Sequence, residues 1–459
     1  MRTLTRVLGW LTVGSLLLSS GLGWSQKERG RPLLLGGPLS SSAAQIPLDP
    51  RLPRGALRHF SSHPPSDELP ACSFRYPVCV TRTHDVPTSR TLLALASLER
   101  AYRRLVVVLG LPAPTPVSNF TSPTLELRLS EDGPPMLSTL EALSVGLHDS
   151  GASSCESSAT SAELLERAAT QCVGEAIGRR LDAGTTPHLL RAYATSLWWV
   201  TGQPTALDVE AVDHVQQRPQ EPLVDRDLGL SSEGAALWFE QLEARRGLTH
   251  PGKLSTHLLA LAASMTPADA PRWHNEPDIF DVLRHSTGLD QVEYARLLNQ
   301  VAIDRAFVGT RDDGTHLPSL GWTGDFGRIR FDWLLKYSSL PRRVAAREGI
   351  APTGAFYVLL ELDDVALDAT LGFRAEWEPP VAFAWSLVQV DEQGREMKRL
   401  EVPFQAKATR AEQRLVDFQG AAYVLAIGTN LGGLGAEHPF DPDIAPYETH
   451  GCTVYLAAL

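Results

Sequence analysis

The sequence predicts an α+β chain in which a mainly helical domain is followed by an antiparallel β-sandwich. Three observations carry that expectation. Over 91–110, Leu92, Leu95, Leu98, Tyr102, Leu105 and Leu109 recur at three- and four-residue steps, the period of a buried helix face. From Ala355 onward the period shortens to two. Phe356, Val358, Leu360 and Leu362 alternate with their neighbours, and Phe373, Ala375 and Trp377 alternate with Arg374, Glu376 and Glu378. The texture changes near Pro341, which sets the expected boundary between a helical domain over 71–340 and a sandwich over 341–459.

The elements follow in order. Residues 1–25 read as a signal peptide. Arg2 and Arg6 form its basic end, Val7 to Leu18 its apolar run, and Gly23 and Ser25 suit the cleavage site. The run is short and broken by Gly and Ser, which favours cleavage over a retained anchor. No later segment offers about 20 uninterrupted apolar residues, so membrane contact is expected only through this leader. The expected address is secreted, periplasmic or at the cell surface. Residues 26–70, rich in Pro, Ser and Gly, read as an arm or linker. Thr124 to Ser130 alternates like a half-exposed strand, and a Ser-rich loop over 150–161 leads into a helix over 162–181. Pro187 opens another helix that ends near Trp199, before Gly202 and Pro204. Further helices are expected over 233–246, 253–264, 277–284 and 291–307, and further strands over 381–390, 421–427 and 452–456.

Hydrophobic residues make up 43% and charged residues 21%, which excludes wholesale disorder. The formal charge of −11 argues against nucleic acid as a partner, because phosphate binding needs a basic face. Export permits disulfides. Cys72 and Cys79 enclose a short loop and form one candidate pair, Cys155 and Cys172 form another, and Cys452 is left over.

The order helix, strand, small-residue loop, helix, helix resembles the core of secreted gluzincin-like metallopeptidases, a zincin family that often carries a C-terminal β-sandwich. The likeness covers 92–309 and includes the texture of Leu98 to Leu105 and of Ala168 to Asp182. Such enzymes hold zinc on two His one helical turn apart, with a Glu after the first His to activate water. The matching segment here runs from Gly174 to Gly178. Glu175 stands where the catalytic Glu would be, and glycine stands at both ligand positions. The family's third ligand is a Glu on the next helix, yet 183–207 holds no acid. The resemblance therefore implies a zincin-like domain without its zinc, and no cofactor is expected.

Helix geometry puts Leu165, Ala169, Cys172, Val173 and Ala176 on the buried face of 162–181, with Glu175 at its edge. Glu175 is then either a relic cleft carboxylate or half of an exposed i, i+4 ion pair with Arg179, and the spacing favours the pair. Asp441 and Asp443 concentrate oxygen ligands near Glu437, His438, Glu448 and His450. They are candidate calcium ligands, although the prolines between them favour a rigid turn. His59 and His63 have ligand spacing inside the Pro-rich arm, where no helix is expected. His188, His250, His257, His274 and His285 read as surface or capping residues. Asp312 to Gly314 reads as a turn, Gly432 to Gly435 as a loop, and Asn119 to Thr121 as a glycosylation sequon. One of the adjacent Trp198 and Trp199 is expected in the core, the other at an interdomain seam or cleft. No Gly-x-Ser-x-Gly or Walker loop is present. The reading favours a non-catalytic pseudopeptidase whose cleft takes an unidentified protein or peptide ligand. One alternative is a hydrolase with a rearranged metal site using Glu175. Another is a surface- or carbohydrate-binding sandwich.

Overall fold

The computed structural model describes residues 71–114, 125–131, 145–147, 153–223, 229–246, 251–267, 269–270, 274, 276–286, 289–366, 369–433 and 448–459. The leader, the arm, His59, His63, the Asn119 sequon, His250, Glu437, His438, Asp441 and Asp443 lie outside these residues.

The first unit is a mixed five-stranded sheet covered by helices. Its strands are β1 (Ala71–Cys72), β2 (Val78–Arg82), β3 (Leu125–Leu129), β4 (Val145–Leu147) and β5 (Ser153–Ser157), ordered β1-β2-β3-β5-β4. β2, β3 and β5 run parallel, and the two edge strands are antiparallel. The helices are α1 (Thr88–Tyr102), α2 (Ala162–Leu181), α3 (Pro187–Thr201), α4 (Ala206–Gln216), α5 (Leu230–Gly234), α6 (Ala236–Arg246), α7 (Lys253–Met265), α8 (Ile279–Asp281) and α9 (Gln291–Ala306). Cys72–Cys79 bridges β1 to β2, and Cys155–Cys172 ties β5 to α2.

Several sequence expectations change here. The helix expected over 91–110 is α-helical only to Tyr102 and finishes as a π-helical segment, Arg103–Val108. Its buried face is centred on Ala94, Leu98, Ala101 and Leu105, because the two alanines let α2 pack closely; Leu92 is 57% exposed. The Ser-rich loop contains β5. That strand is set by backbone pairing with β3, Leu127 opposite Cys155, rather than by its polar side chains. Residues 233–246 break at Ala235 into α5 and α6, and only Ile279–Asp281 of 277–284 is α-helical. α4 was not foreseen, although Leu207, Ala211 and Val215 keep helical spacing behind a Thr205/Asp208 capping box.

The second unit is a β-sandwich. One sheet is ordered β11 (Glu396–Glu401), β10 (Phe383–Val390), β13 (Tyr423–Asn430), β8 (Ala355–Glu361) and β6 (Trp333–Lys336). The other is ordered β12 (Arg410–Val416), β9 (Thr370–Trp377), β14 (Cys452–Ala458) and β7 (Arg342–Ala345). β6 lies upstream of the expected boundary at Pro341 and pairs parallel to β8, so the sandwich is not wholly antiparallel. Its core is aromatic: Phe356, Phe373, Trp377, Phe383 and Trp385 meet between the sheets.

α9 docks on the outer face of the first of these sheets. Tyr357 donates to the Ala302 carbonyl at 2.7 Å, and Asn299 donates to Ser386 at 2.6 Å. Every residue of β10 is buried as a result, one face by the other sheet and the other by the helical unit. The α+β class holds, and the helical unit and the sandwich share a packed seam.

Candidate functional site

α2 starts at Ser161, whose hydroxyl accepts the Leu164 amide at 3.2 Å. It ends at a turn in which Asp182 accepts the Gly184 amide at 3.0 Å, and Pro187 then opens α3. The two helices pack against each other at the glycines. A Cβ on Gly174 would lie 2.9 Å from the Cβ of Ala194 and 3.0 Å from its Cα, and one on Gly178 would lie 2.5 Å from Leu190 Cδ2. Both positions that a zincin would fill with His therefore face α3: Ala194 leaves no room for a side chain at Gly174, and at Gly178 the tip of the Leu190 side chain would have to move aside.

Glu175 is 5% exposed, not part of an exposed pair. The expected apolar face of α2 is buried against the sheet and α1, and the opposite face is buried too, because α3 and α5 cover it. Glu175 accepts from Arg191 of α3, a residue sixteen positions away in sequence. Arg191 Nη1 lies 3.5 Å from Glu233 of α5. Arg167 of α2 donates to Glu233 and also, from Nε at 3.1 Å, to Asp208 of α4. Gln171 bridges Thr195 at 3.0 Å and Glu233 at 3.3 Å. Asp208 accepts both indoles, Trp198 and Trp199, at 3.0 Å, and the Thr205 amide at 2.7 Å. Both tryptophans are buried, so neither opens onto a cleft.

Three carboxyl groups thus meet two guanidiniums inside the protein. Burial pushes the Glu175 carboxyl above its ordinary range, and Arg191 and Arg179 offset only part of that. Burial also opposes the Asp208 charge, but Arg167, the Thr205 amide and the two indoles outweigh it and hold that carboxyl low. Burial likewise opposes the Arg191 charge, and Glu175 and Glu233 outweigh it. Glu175 Oε1 is already bound by the Arg191 guanidinium. Zinc does not fit this seat. The donor set lacks its imidazoles, Gly174 has no space to gain one, and Arg191 occupies the carboxylate. Among the described residues, no group of three or more His, Cys, Asp or Glu could hold a metal ion.

A second buried cluster lies at the seam. His316 bonds Asp313 Oδ1 through Nδ1 at 2.9 Å and Glu396 Oε2 of β11 through Nε2 at 2.6 Å. Its ring stacks on Phe307 with centroids 4.0 Å apart. The foreseen turn is present, Gly314 donating to Asp312 at 2.8 Å, yet Asp313 also clamps this histidine. Burial would lower the His316 pKa, but Asp313 and Glu396 outweigh it and raise it above the ordinary 6.5. Both ring nitrogens face carboxylates, so the imidazole is a clamp rather than a base for a nucleophile. Sequence reading missed this histidine, whose only local signal is Asp313 three residues before it.

The remaining candidates are dispersed. His188 is 7% exposed, so it is neither a surface residue nor an open ligand. His450 is also buried, 4.0 Å from Glu448. Cys452 is a buried free thiol whose pKa burial pushes well up. The outer face of the second sandwich sheet carries an open groove of about 480 Å³. Gly372 and Ala457 are part of its lining, as are Arg374, Glu412, Arg414 and Tyr455. Arg374 lies 5.6 Å from the Tyr455 ring centroid.

No protein-family model matches the chain, and no curated protein matches it. Among solved structures, the pre-peptidase C-terminal domain of a collagenase from Bacillus anthracis is similar over 29% of this chain and 99% of that chain, at 8% identity and a TM-score of 0.18. A likeness of that size carries no argument about fold or function.

Proposed function

We propose that the chain is an exported, non-catalytic binding protein built on a zincin-like helical domain that has exchanged its metal site for a structural ion network. One observation carries the reading: Gly174 and Gly178 lie against Ala194 and Leu190, and Glu175 is bound by Arg191. Water activation needs a carboxylate free to take a proton beside a Lewis acid, and this carboxylate faces an arginine. Export is supported by the basic and apolar leader over 1–25 and by two disulfides, which persist in oxidising compartments. Among the described residues no helix is long and apolar enough to cross a membrane. The partner class proposed is a protein or peptide.

The test is metal analysis of the purified full chain together with a protease assay with and without chelator. The expected result is less than stoichiometric zinc and no chelator-sensitive cleavage. Stoichiometric zinc with chelator-sensitive cleavage would overturn the reading in favour of a rearranged hydrolase site. The groove on the outer sandwich sheet favours a second reading, surface or glycan binding by the sandwich. Its arginines and Tyr455 offer charge and a ring face above small residues. Glycan-array binding that Tyr455→Ala abolishes would support it.

A further inference from the structure

α9 covers the apolar outer face of the β10–β13–β8 sheet only as far as Phe307. Beyond that point Leu359, Val390, Tyr423 and Leu425 continue the face as one wall of a cavity of about 270 Å³. Thr310 and Arg311 form another wall, and the β10–β11 turn at Glu392 to Gly394 a third. The cavity therefore lies between the helical unit and the sandwich, where ligand sites are common.

Arg311 is the charged wall. Its guanidinium lies over the Phe331 ring, 4.4 Å from the centroid, which fixes its direction. Its Nη1 is buried and, among the described residues, has no hydrogen-bond partner. Burial and the neighbouring Arg328 both lower its pKa, and Tyr423 opposes them. Three buried arginines are answered, Arg167 and Arg191 by carboxylates and Arg305 by the Gln216 side chain and the Val215 carbonyl, whereas Arg180 resembles Arg311 in having nitrogens without a partner among the described residues. An arginine remains ionised at working pH. Here a half-buried cation borders a cavity with an apolar wall, and Glu392 stands on the turn opposite.

We propose that this cavity binds a small organic acid, its carboxylate pairing with Arg311 and its aromatic or short aliphatic body covering Leu359, Val390, Tyr423 and Leu425. A planar guanidinium suits a carboxylate, and the apolar wall selects against bare inorganic anions, which would leave it wet. The proposal is independent of the role of Glu175.

Calorimetric titration of the full chain with phenylacetate, hexanoate and the uncharged phenylacetamide tests it. At least one of the two acids is expected to give saturable 1:1 binding. Phenylacetamide is expected to bind at least tenfold more weakly than phenylacetate, and Arg311→Gln to remove acid binding. Because Arg311→Gln disturbs a packed ring, Thr310→Trp serves as the second variant. Thr310 is exposed at the rim, so this change is expected to close the mouth and weaken binding at least tenfold with the melting temperature unchanged. The proposal is overturned by no saturable binding of either acid, by phenylacetamide binding as well as phenylacetate, or by acid binding that survives both variants.

Discussion

The centres of the two units are built from opposite materials. Between α2, α3, α4 and α5 lie Arg167, Arg191, Glu175, Asp208 and Glu233, all buried and bound to one another. Between the sandwich sheets lie Phe356, Phe373, Trp377, Phe383 and Trp385. Glycine makes room in both places, Gly174 for the backbone of α3 and Gly428 for the indole of Trp385. The contrast teaches how each core can fail. Dispersion and burial are graded, so losing part of a ring loses part of the energy. A buried ion network is not graded, because removing one cation leaves its anions stranded without water.

The largest expected effect is therefore in the helical unit. Arg167→Met keeps much of the volume and strands Asp208 and Glu233, and should destabilise the chain by about 3–5 kcal/mol in chemical denaturation. A cost below about 1 kcal/mol would mean that the network is structurally idle and would erase the contrast. Next come Gly174→Ala and Gly428→Ala, each expected to cost about 1–3 kcal/mol by overpacking. Gly428→Ala should cost more, since its Cβ would come within 2.4 Å of the buried Trp385 indole, whereas Gly174→Ala meets Ala194 at 2.9 Å and regains helix propensity. The reverse order would show that the sandwich core is the softer of the two.

The smallest effect is a pH slope. Burial pushes the Glu240 carboxyl up to about 8, with a hydrogen bond from Ser319 opposing it. His316 is raised above 6.5 by Asp313 and Glu396 against its burial, and Asp304 also faces it. Each folded-state pKa lies above the unfolded one, so the stability each contributes is complete below the unfolded value and is lost as pH rises through the folded value. Melting temperature should fall as pH rises from about 4.5 to about 8 through Glu240, and above about 6.5 through His316, and Glu240→Gln and His316→Gln should each flatten its part of the fall. A slope unchanged in both variants would remove these groups from the account.

Much of this architecture was legible in the chain itself. A period of 3.6 and a period of 2 are local properties, so the helical part, the strand-rich part and the α2 and α3 segments could be read from spacing alone. Glu175 was harder. Spacing correctly marked Leu165, Ala169 and Val173 as buried, but it treated the opposite face of α2 as solvent. Whether that face is wet depends on α3 and α5, and nothing within α2 encodes their arrival. The same reason explains Asp208. Its partnership with Thr205 is a local capping signal, whereas its contact with Arg167 spans 41 positions.

The sequence by itself determined the composition of the elements and the absence of any side chain at positions 174 and 178, because a missing side chain needs no fold to be missing. The tertiary structure decided what packs there. Close approach of two helices is possible only where both lack bulk, and it is Ala194 opposite Gly174 that allows it here. Burial of a charge is likewise a property of everything packed around it. For that reason Glu175 became half of an internal ion pair, and Arg311 came to line a cavity between the two units.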